Sequence, residues 1–393
     1  MRPQPGVDLL AGGDAAFARI LGKIDEAKRS IFIRCFGWRD DETGGIVARH
    51  LLRAADRGVS VKILKDRVGM HYEYFEGTKQ SFFHKELDLM TRVQTWFLMA
   101  AYKQWGRLRQ RANPLMTALL EHEHVTVAHN EKRFDHSKLY MFDDETLILG
   151  GMGIGDDYRW SNVDFMVEVS GRDAVARFVD RDAGRVAFDP ARDLDFLLSS
   201  HRAPQPDGDT LVEQRLRLIR GARARLTIEM AYMGDRRCTD AVADAVKRGV
   251  FVTLLTAERA NIIRDVNLHT CDALLRRTGA PQNLRIFLHP QMVHGKAIVV
   301  DSQWVDIGSA NFTSLSHDVY EEVNLYRRDH VFARAVEAAI EKDIQNGRPA
   351  PGRVAYRRVR MLVERAFVNH ETRKGKRRQA NGASRSAVSG RVR

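Results

Sequence analysis

The chain has 393 residues, 44% of them hydrophobic and 29% charged, with 63 Lys and Arg against 51 Asp and Glu. That is globular composition with length for two or three domains, and it excludes a disordered chain or a fibre. Of the net charge of +12, the segment from Glu371 to Arg393 supplies +7, so the other 370 residues carry only +5, too mild a balance for a body built to coat nucleic acid.

The N-terminal stretch MRPQPGVDLLAGGDAAF lacks a continuous apolar core of signal-peptide length. The longest uncharged apolar-rich stretch, Val93 to Tyr102, is half the length of a membrane span. A cytoplasmic protein, soluble or peripherally attached to the inner face of a membrane, is expected. Cys35, Cys238 and Cys271 fit no metal spacing and cannot all pair with one another, which points to free thiols in a reducing compartment.

Residues 20–66 predict a helix, a strand, a loop, a second helix and a second strand, and residues 214–256 repeat that order. Arg57-Gly58-Val59 in the first stretch is matched by Arg248-Gly249-Val250 in the second, each ending a helix at Gly and opening a strand. Strands alternating with helices imply βαβ units and an α/β fold with mostly parallel sheets. The first repeat is expected over 8–187 and the second over 210–345, joined by a linker at 188–209 rich in Pro, Asp and Ser. A C-terminal helix is expected within 346–370, around Arg353 to Val368, followed by a basic, disordered tail at 371–393. From Gly58 to His136 is 78 residues but from Gly249 to His294 only 45, so the first repeat carries an insertion at about 70–121.

Further along, FDHSKLYMFDDETLILGGMG at 134–153 and MVHGKAIVVDSQWVDIGSAN at 292–311 both contain H-x-K-x4-D. The first holds His136, Lys138 and Asp143 with Gly150-Gly151 behind them; the second holds His294, Lys296 and Asp301 with Gly308-Ser309. Asp164 follows His136 by 28 residues and Glu322 follows His294 by 28, so one offset of 158 relates the two sets. A single match is weak evidence of function, whereas two in register are strong. On a strand, positions i and i+2 face one side, so each repeat offers an imidazole and an ammonium to the same space. If the halves pack about a pseudo-twofold axis, two His and two Lys converge. That set suits a phosphodiester: the lysines neutralise nonbridging oxygens, one histidine attacks phosphorus and the other protonates the leaving oxygen. Each imidazole then needs an acceptor on its second nitrogen, for which Asp164 and Glu322 are placed. Asp143 and Asp301 are expected to buttress a turn.

At these residues the sequence resembles the phospholipase D superfamily, whose hallmark is a pair of H-x-K-x4-D motifs with a trailing G-[GS]-x-N. Within it the likeness is greatest to bacterial cardiolipin synthases, over roughly residues 14–328. The resemblance implies two pseudo-twofold-related α/β/α sandwiches sharing one active site, with His136 as nucleophile, His294 as acid and base, and Lys138 and Lys296 on the phosphate. It also implies that Gly151, Ser309 and Asn311 contact substrate. One departure is Gly153, which stands in the first motif where the pattern has Asn.

In the insertion, Met90, Val93, Phe97, Ala100, Ala101, Trp105 and Leu108 recur at helical spacing beside Lys103, Arg107, Arg109 and Arg111. Such a helix fits either an interfacial membrane contact or packing on its own domain. Tyr72, Tyr74, Phe75, Phe82 and Phe83 fit an acyl-chain groove or ordinary core. The resemblance favours phosphatidyl transfer on a phospholipid at an anionic membrane surface, by a monomer carrying both motifs. A phosphodiesterase or nuclease is the alternative, and only under it is nucleic acid a partner. Four basic side chains already bring the positive charge of a divalent ion, and no ligand cluster is visible, so no metal or other cofactor is expected. Turnover should therefore survive EDTA; loss with chelator that a divalent ion restores would contradict this chemistry.

Overall fold

A computed structural model describes residues 6–66, 80–83, 112–130, 134–199 and 210–389, with single positions at 69, 73 and 93. Most of the expected insertion, including Tyr72, Tyr74, Phe75 and the amphipathic stretch from Met90 to Arg111 apart from Val93, lies outside the described residues. Phe82 and Phe83 lie within them and are core: both are buried against Trp38, with ring centroids 5.0 and 5.2 Å away.

The first repeat runs β1 (Gly6–Ala11), α1 (Gly13–Glu26), β2 (Ser30–Cys35), α2 (Glu42–Asp56), β3 (Ser60–Asp66), α3 (Pro114–Glu121), β4 (Val125–Asn130), β5 (Leu139–Phe142), β6 (Thr146–Gly150), β7 (Phe165–Ser170) and α4 (Arg172–Asp182), with a π-helical turn at Asp157–Ser161. The second runs β8 (Leu194–Ser199), α5 (Leu211–Gly221), β9 (Arg225–Met230), α6 (Arg236–Lys247), β10 (Phe251–Ala257), α7 (Arg264–Thr278), β11 (Leu284–His289), β12 (Lys296–Val300), β13 (Trp304–Gly308), α8 (Ser314–Asp318), β14 (Glu322–Arg328) and α9 (His330–Gln345). β15 (Arg348–Pro349) and α10 (Arg358–Ser389) close the chain.

Among the described residues the first sheet has the order β1-β7-β6-β5-β2-β3-β4 and the second β15-β11-β10-β9-β12-β13-β14-β8. The α/β class is as expected, but the sheets are mixed rather than mostly parallel. Only β2-β3-β4 and β9-β10-β11 run parallel. The cause is the motif itself. Phe142 is followed by Asp143 and Asp144, both at left-handed φ (55° and 57°), and Val300 by Asp301 and Ser302 (53° and 52°). Two successive positive-φ residues make a tight reversal, so β5-β6 and β12-β13 are antiparallel hairpins. The helix-to-strand turns do follow the RGV triplets, with Gly58 (φ 84°) after α2 and Gly249 (φ 92°) after α6 in conformations that favour glycine.

The linker prediction needs correction too: part of 188–209 is strand β8, which pairs antiparallel with β14 at the edge of the second sheet. β1 does the same to β7 in the first sheet. The apolar run Leu194–Ser199 was masked by Pro and Asp neighbours. The last helix starts at Arg358 and continues to Ser389, through most of the segment expected to be disordered. Its middle is docked: Thr372 Oγ1 lies 3.1 Å from Ser314 Oγ, Lys376 pairs with Asp318 at 3.0 Å, and a Cβ on Gly375 would overlap Val319. Arg, Lys, Gln and Ala are good helix formers once an anchor is present.

Alternation along the strands divides the core into layers. Phe17, Ile20 and Leu51 of α1 and α2 cover one face of the first sheet, over Ile31, Ile33 and Ile148. Leu216, Val242 and Leu275 of α5 to α7 cover the outer face of the second, over Leu226, Ile228 and Leu254. Between the sheets, Leu147, Leu149, Val167 and Val169 share one cluster with Val305, Ile307, Val323 and Leu325, filled in by Phe178 of α4 and Val336 and Ile340 of α9. The halves are thus fused through apolar burial. All three cysteines are buried free thiols.

Asp143 and Asp301 each tie a hairpin to the strand beside it. Asp143 accepts the backbone N–H of Lys28, Arg29 and Ser30 at 2.8–2.9 Å, and Asp301 those of Arg223, Ala224 and Arg225 at 2.8–3.0 Å. Burial alone would raise both carboxyls, but the N–H donors outweigh it and hold them below the usual carboxylate range. Asp301→Ala should cost about 2 kcal/mol, read as a lower Tm at pH 7. Because the folded pKa is depressed, that contribution is present above the unfolded carboxylate pKa and disappears in acid, so wild-type and variant melting curves should converge as pH falls.

Candidate active site

Neither histidine is on a strand. His136 and Lys138 lie just before β5, and His294 just before β12, whose first residue is Lys296. Each is held there by the other repeat. His136 N donates to Glu321 O at 2.9 Å, and His294 N donates to Val163 O at 2.7 Å, in isolated bridges between Asp135 and Glu321 and between Val163 and Val293. The segments entering β5 and β12 are therefore stitched to those entering β14 and β7.

This stitching crosses the carboxylates over. His136 Nδ1 lies 3.0 and 3.1 Å from the two oxygens of Glu322, and His294 Nδ1 lies 2.8 Å from Asp164 Oδ2. Each imidazole is oriented by the carboxylate of the opposite repeat. With Nδ1 so occupied, Nε2 is the nitrogen left for a substrate. The nearby lysines turn inward: Lys138 Nζ donates to His136 O, and Lys296 Nζ donates to His294 O and lies 3.1 Å from His294 Nδ1.

His136, Lys138, His294 and Asn311 line one cavity of about 410 Å³. Asn311 Oδ1 is buried without a hydrogen-bond partner. Ser309 and Gly151, expected to contact substrate, instead serve the carboxylates. Ser309 Oγ donates to Glu322 Oε2 at 2.5 Å and accepts from Val323 N at 3.0 Å, while a Cβ at Gly151 would come within 2.5 Å of Asp164 Oδ1. Ser309 and Gly151 thus pack against the dyad carboxylates. At Gly153, a Cβ would fall 2.8 Å from the Tyr158 ring, so the space an Asn would need there is filled by Tyr158.

Sequence reasoning missed the aromatic walls. Tyr320 stacks on His136 with centroids 5.3 Å apart, and Phe36 meets it edge-on at 4.8 Å; Tyr158 and Tyr232 stand edge-on to His294 at 5.4 and 6.2 Å. The repeat carried a faint signal in the matched CFGW and AYMG stretches after β2 and β9. Arg39, Ile262, Ile263 and Met292 also line the cavity, as do Phe367 and Val368 of α10. Behind the second motif, Glu229 is fully buried with neither carboxylate oxygen bonded, and burial holds its pKa far up. It explains Gly295, because a Cβ there would lie 2.1 Å from Glu229 Oε1.

Burial dominates the electrostatics. It lowers His136, against the pull of Glu322, and with Lys296 it lowers His294 to about 4. It lowers Lys138 to about 7 and Lys296 to about 8, although Glu322 and Asp164 oppose it. Glu322, which burial would raise, is held below the ordinary Glu value by His136 and Lys138. The resting site thus has two neutral imidazoles beside two lysines poised to lose or keep their protons. Among the described residues, no group of three or more His, Cys, Asp or Glu is arranged to hold a metal ion.

The fold and these motifs have relatives. A family described as "Cardiolipin synthase, PLD-like domain" matches residues 20–181 and 216–344. Cardiolipin synthase A of Pseudomonas entomophila is 25% identical over 363 residues, 87% of this chain and 69% of that protein. Cardiolipin synthase A of Pseudomonas fluorescens is 26% identical over 367 residues, again 87% and 69%. Among solved structures, phosphatidylserine synthase of Haemophilus influenzae superposes with a TM-score of 0.67 over 93% of this chain and 94% of that one, at 14% identity, a likeness of fold.

The lysine values generate a pH prediction. An ammonium binds a phosphate anion and its neutral amine does not, so kcat/KM for a soluble phosphodiester should fall as pH rises through about 7 to 8. A bound anion stabilises both ammoniums, so the corresponding fall in kcat should lie at higher pH. Coincident alkaline limbs in the two profiles would remove the lysines from phosphate binding.

Proposed function

The chain belongs to the cardiolipin synthase family of phospholipase D-like domains, and we propose that it transfers a phosphatidyl group between alcohols through a phosphohistidine intermediate. The observation that carries this reading is the pair of crossed dyads, His136–Glu322 and His294–Asp164, opening on one cavity. His136 Nε2 attacks phosphorus, forming a P–N bond as the P–O bond to the departing alcohol breaks. The alkoxide takes a proton from His294 Nε2. The acceptor alcohol then gives its proton back to His294 and attacks phosphorus, breaking the P–N bond and freeing His136. His294 is protonated only weakly in the resting site, but an anionic diester beside Asp164 favours its imidazolium form. Lys138, on the cavity wall, neutralises the nonbridging oxygens, Lys296 adds its charge from beside His294 Nδ1, and the amide N–H of Asn311 can donate a further hydrogen bond.

Phosphatidylglycerol as both donor and acceptor, giving a cardiolipin, is the reaction that the relatives' names suggest for this chain. Hydrolysis to phosphatidate is the same chemistry with water as acceptor. The described part of the cavity wall favours a lipid over nucleic acid: Phe36, Ile262, Ile263, Met292, Leu315, Phe367 and Val368 line it, and among the described lining residues the cations beside the two histidines are Arg39 and Lys138. A groove tracking a polynucleotide needs a run of cations and stacking platforms along its length. Both dyads form within one chain, so a monomer suffices, acting peripherally on an anionic bilayer. Among the described residues, no helix is long and apolar enough to cross a membrane.

Incubation with phosphatidylglycerol vesicles should yield a product carrying two phosphatidyl groups, whereas single-stranded DNA under the same conditions should remain intact. His136→Asn should abolish both turnover and the covalent adduct, and His294→Asn should let a phosphoryl adduct accumulate in acid-quenched samples because its breakdown loses the general base. An adduct that forms in His136→Asn but not in His294→Asn would exchange the two roles. DNA cleavage without lipid turnover would replace the lipid reading with the nuclease one.

A further inference from the structure

Helix α10 turns an apolar face outward. Met361, Glu364, Thr372 and Gly375 are buried on one side, with Val368 of the cavity wall partly covered on the same side, as 3.6-residue periodicity requires of a packed helix. On the opposite side Val359, Leu362 and Val363 are 76%, 58% and 57% exposed, an adjacent aliphatic patch where a soluble surface helix carries polar groups. About three and four turns further along that side stand Arg373 and Arg377, both exposed and neither in an ion pair with a carboxylate among the described residues. The acids between Arg358 and Arg377 are Glu364 and Glu371, and neither is on this face: Glu364 is buried and Glu371 pairs with Lys374 at 3.5 Å.

We propose that this outward face of α10 is the surface by which the protein lies on an anionic phospholipid bilayer, its aliphatic patch at the acyl boundary and its arginines among the lipid phosphates. The proposal rests on the lipid-transfer reading for the identity of the bilayer as substrate reservoir. Charge selects the occupant, because a face with cations and no carboxylate matches an anionic surface and repels a second copy of itself. Position supports it as well. One helical turn separates Val363 from Phe367, which lines the cavity, and the same helix is anchored through Lys376 and Gly375 to Asp318 and Val319, just before the Tyr320 that stacks on His136. A bilayer held on this face therefore lies beside the entrance to the site. The helix lacks the apolar length to cross and would rest along the interface.

The test uses the full chain with vesicles of phosphatidylcholine alone or mixed with phosphatidylglycerol. Wild type should sediment with the anionic vesicles and less with the neutral ones. Leu362→Asp/Val363→Asp should reduce sedimentation at least about tenfold, and Arg373→Glu/Arg377→Glu should do the same for anionic vesicles, while both hydrolyse bis(p-nitrophenyl) phosphate within about twofold of wild type. Val331→Asp, at an equally exposed valine on α9, is the control and should leave sedimentation unchanged. The exposed arginine pair keeps the test decisive if the aspartates impair folding. Wild-type binding by both variants, or no vesicle binding by wild type, overturns the proposal, as does a wild-type dimer that the aspartates make monomeric without altering sedimentation. Turnover of phosphatidylglycerol in detergent micelles reports on the lipid reading separately: its absence, with variant-sensitive vesicle binding intact, refutes the reaction and leaves the docking surface standing.

Discussion

Everything at the catalytic end of this protein depends on a carboxylate reaching across from one repeat to an imidazole of the other. Glu322 belongs to the repeat of His294 yet holds His136, and Asp164 belongs to the repeat of His136 yet holds His294. Neither repeat alone contains an oriented dyad. The apolar cluster between the sheets and the backbone bridges at Asp135–Glu321 and Val163–Val293 are therefore part of the chemistry as well as of the fold, because they set the separation over which these contacts form. A packing change within that cluster would be felt at both rings.

Such an arrangement is costly to hold. Two lysines and two carboxylates are brought out of water with the histidines, and burial prevails in the shifts of Lys138, Lys296, His136 and His294. The protein answers with bonds that have no role in binding. Lysine ammoniums donate to the carbonyls of the histidines they accompany, Ser309 donates to Glu322, and Gly151 leaves room for Asp164. Away from the cavity, the two turn aspartates clamp each motif hairpin to β2 or β9, fixing where the segment entering β5 or β12 begins. The motif is a folding unit first, and its histidines are placed by it.

How much of this was legible depended on whether the information was local. The internal repeat and the glycine of each RGV turn are short-range patterns, and the structure has them where the sequence puts them, whereas the motif histidines, read as strand residues, lie just before β5 and β12. The mixed character of the sheets was within reach, since an Asp-Asp or Asp-Ser pair after a strand is a reversal signal that the βαβ reading of residues 20–66 overrode. Strand β8 was hidden in a segment whose prolines and aspartates advertise a loop. The crossing of the dyads could not be read at all: residues 28 apart in sequence look like partners, whereas the bonded atoms are 186 and 130 residues apart. The aromatic walls escaped for the same reason, because Tyr320 and Phe36 meet His136 from opposite ends of the chain.

The twofold likeness of the repeats stops at Gly153, where the ring of Tyr158 occupies the place that Asn311 has no counterpart to fill. A strictly symmetric pocket could not tell the two ester arms of a phosphodiester apart, and either imidazole would serve as well as the other. Tyr158 adds to the differences already set by Tyr320 stacked on His136 and by Glu322 standing where the other dyad has Asp164. The two sides of the cavity thus present walls of different shape, and a duplicated scaffold acquires a front and a back.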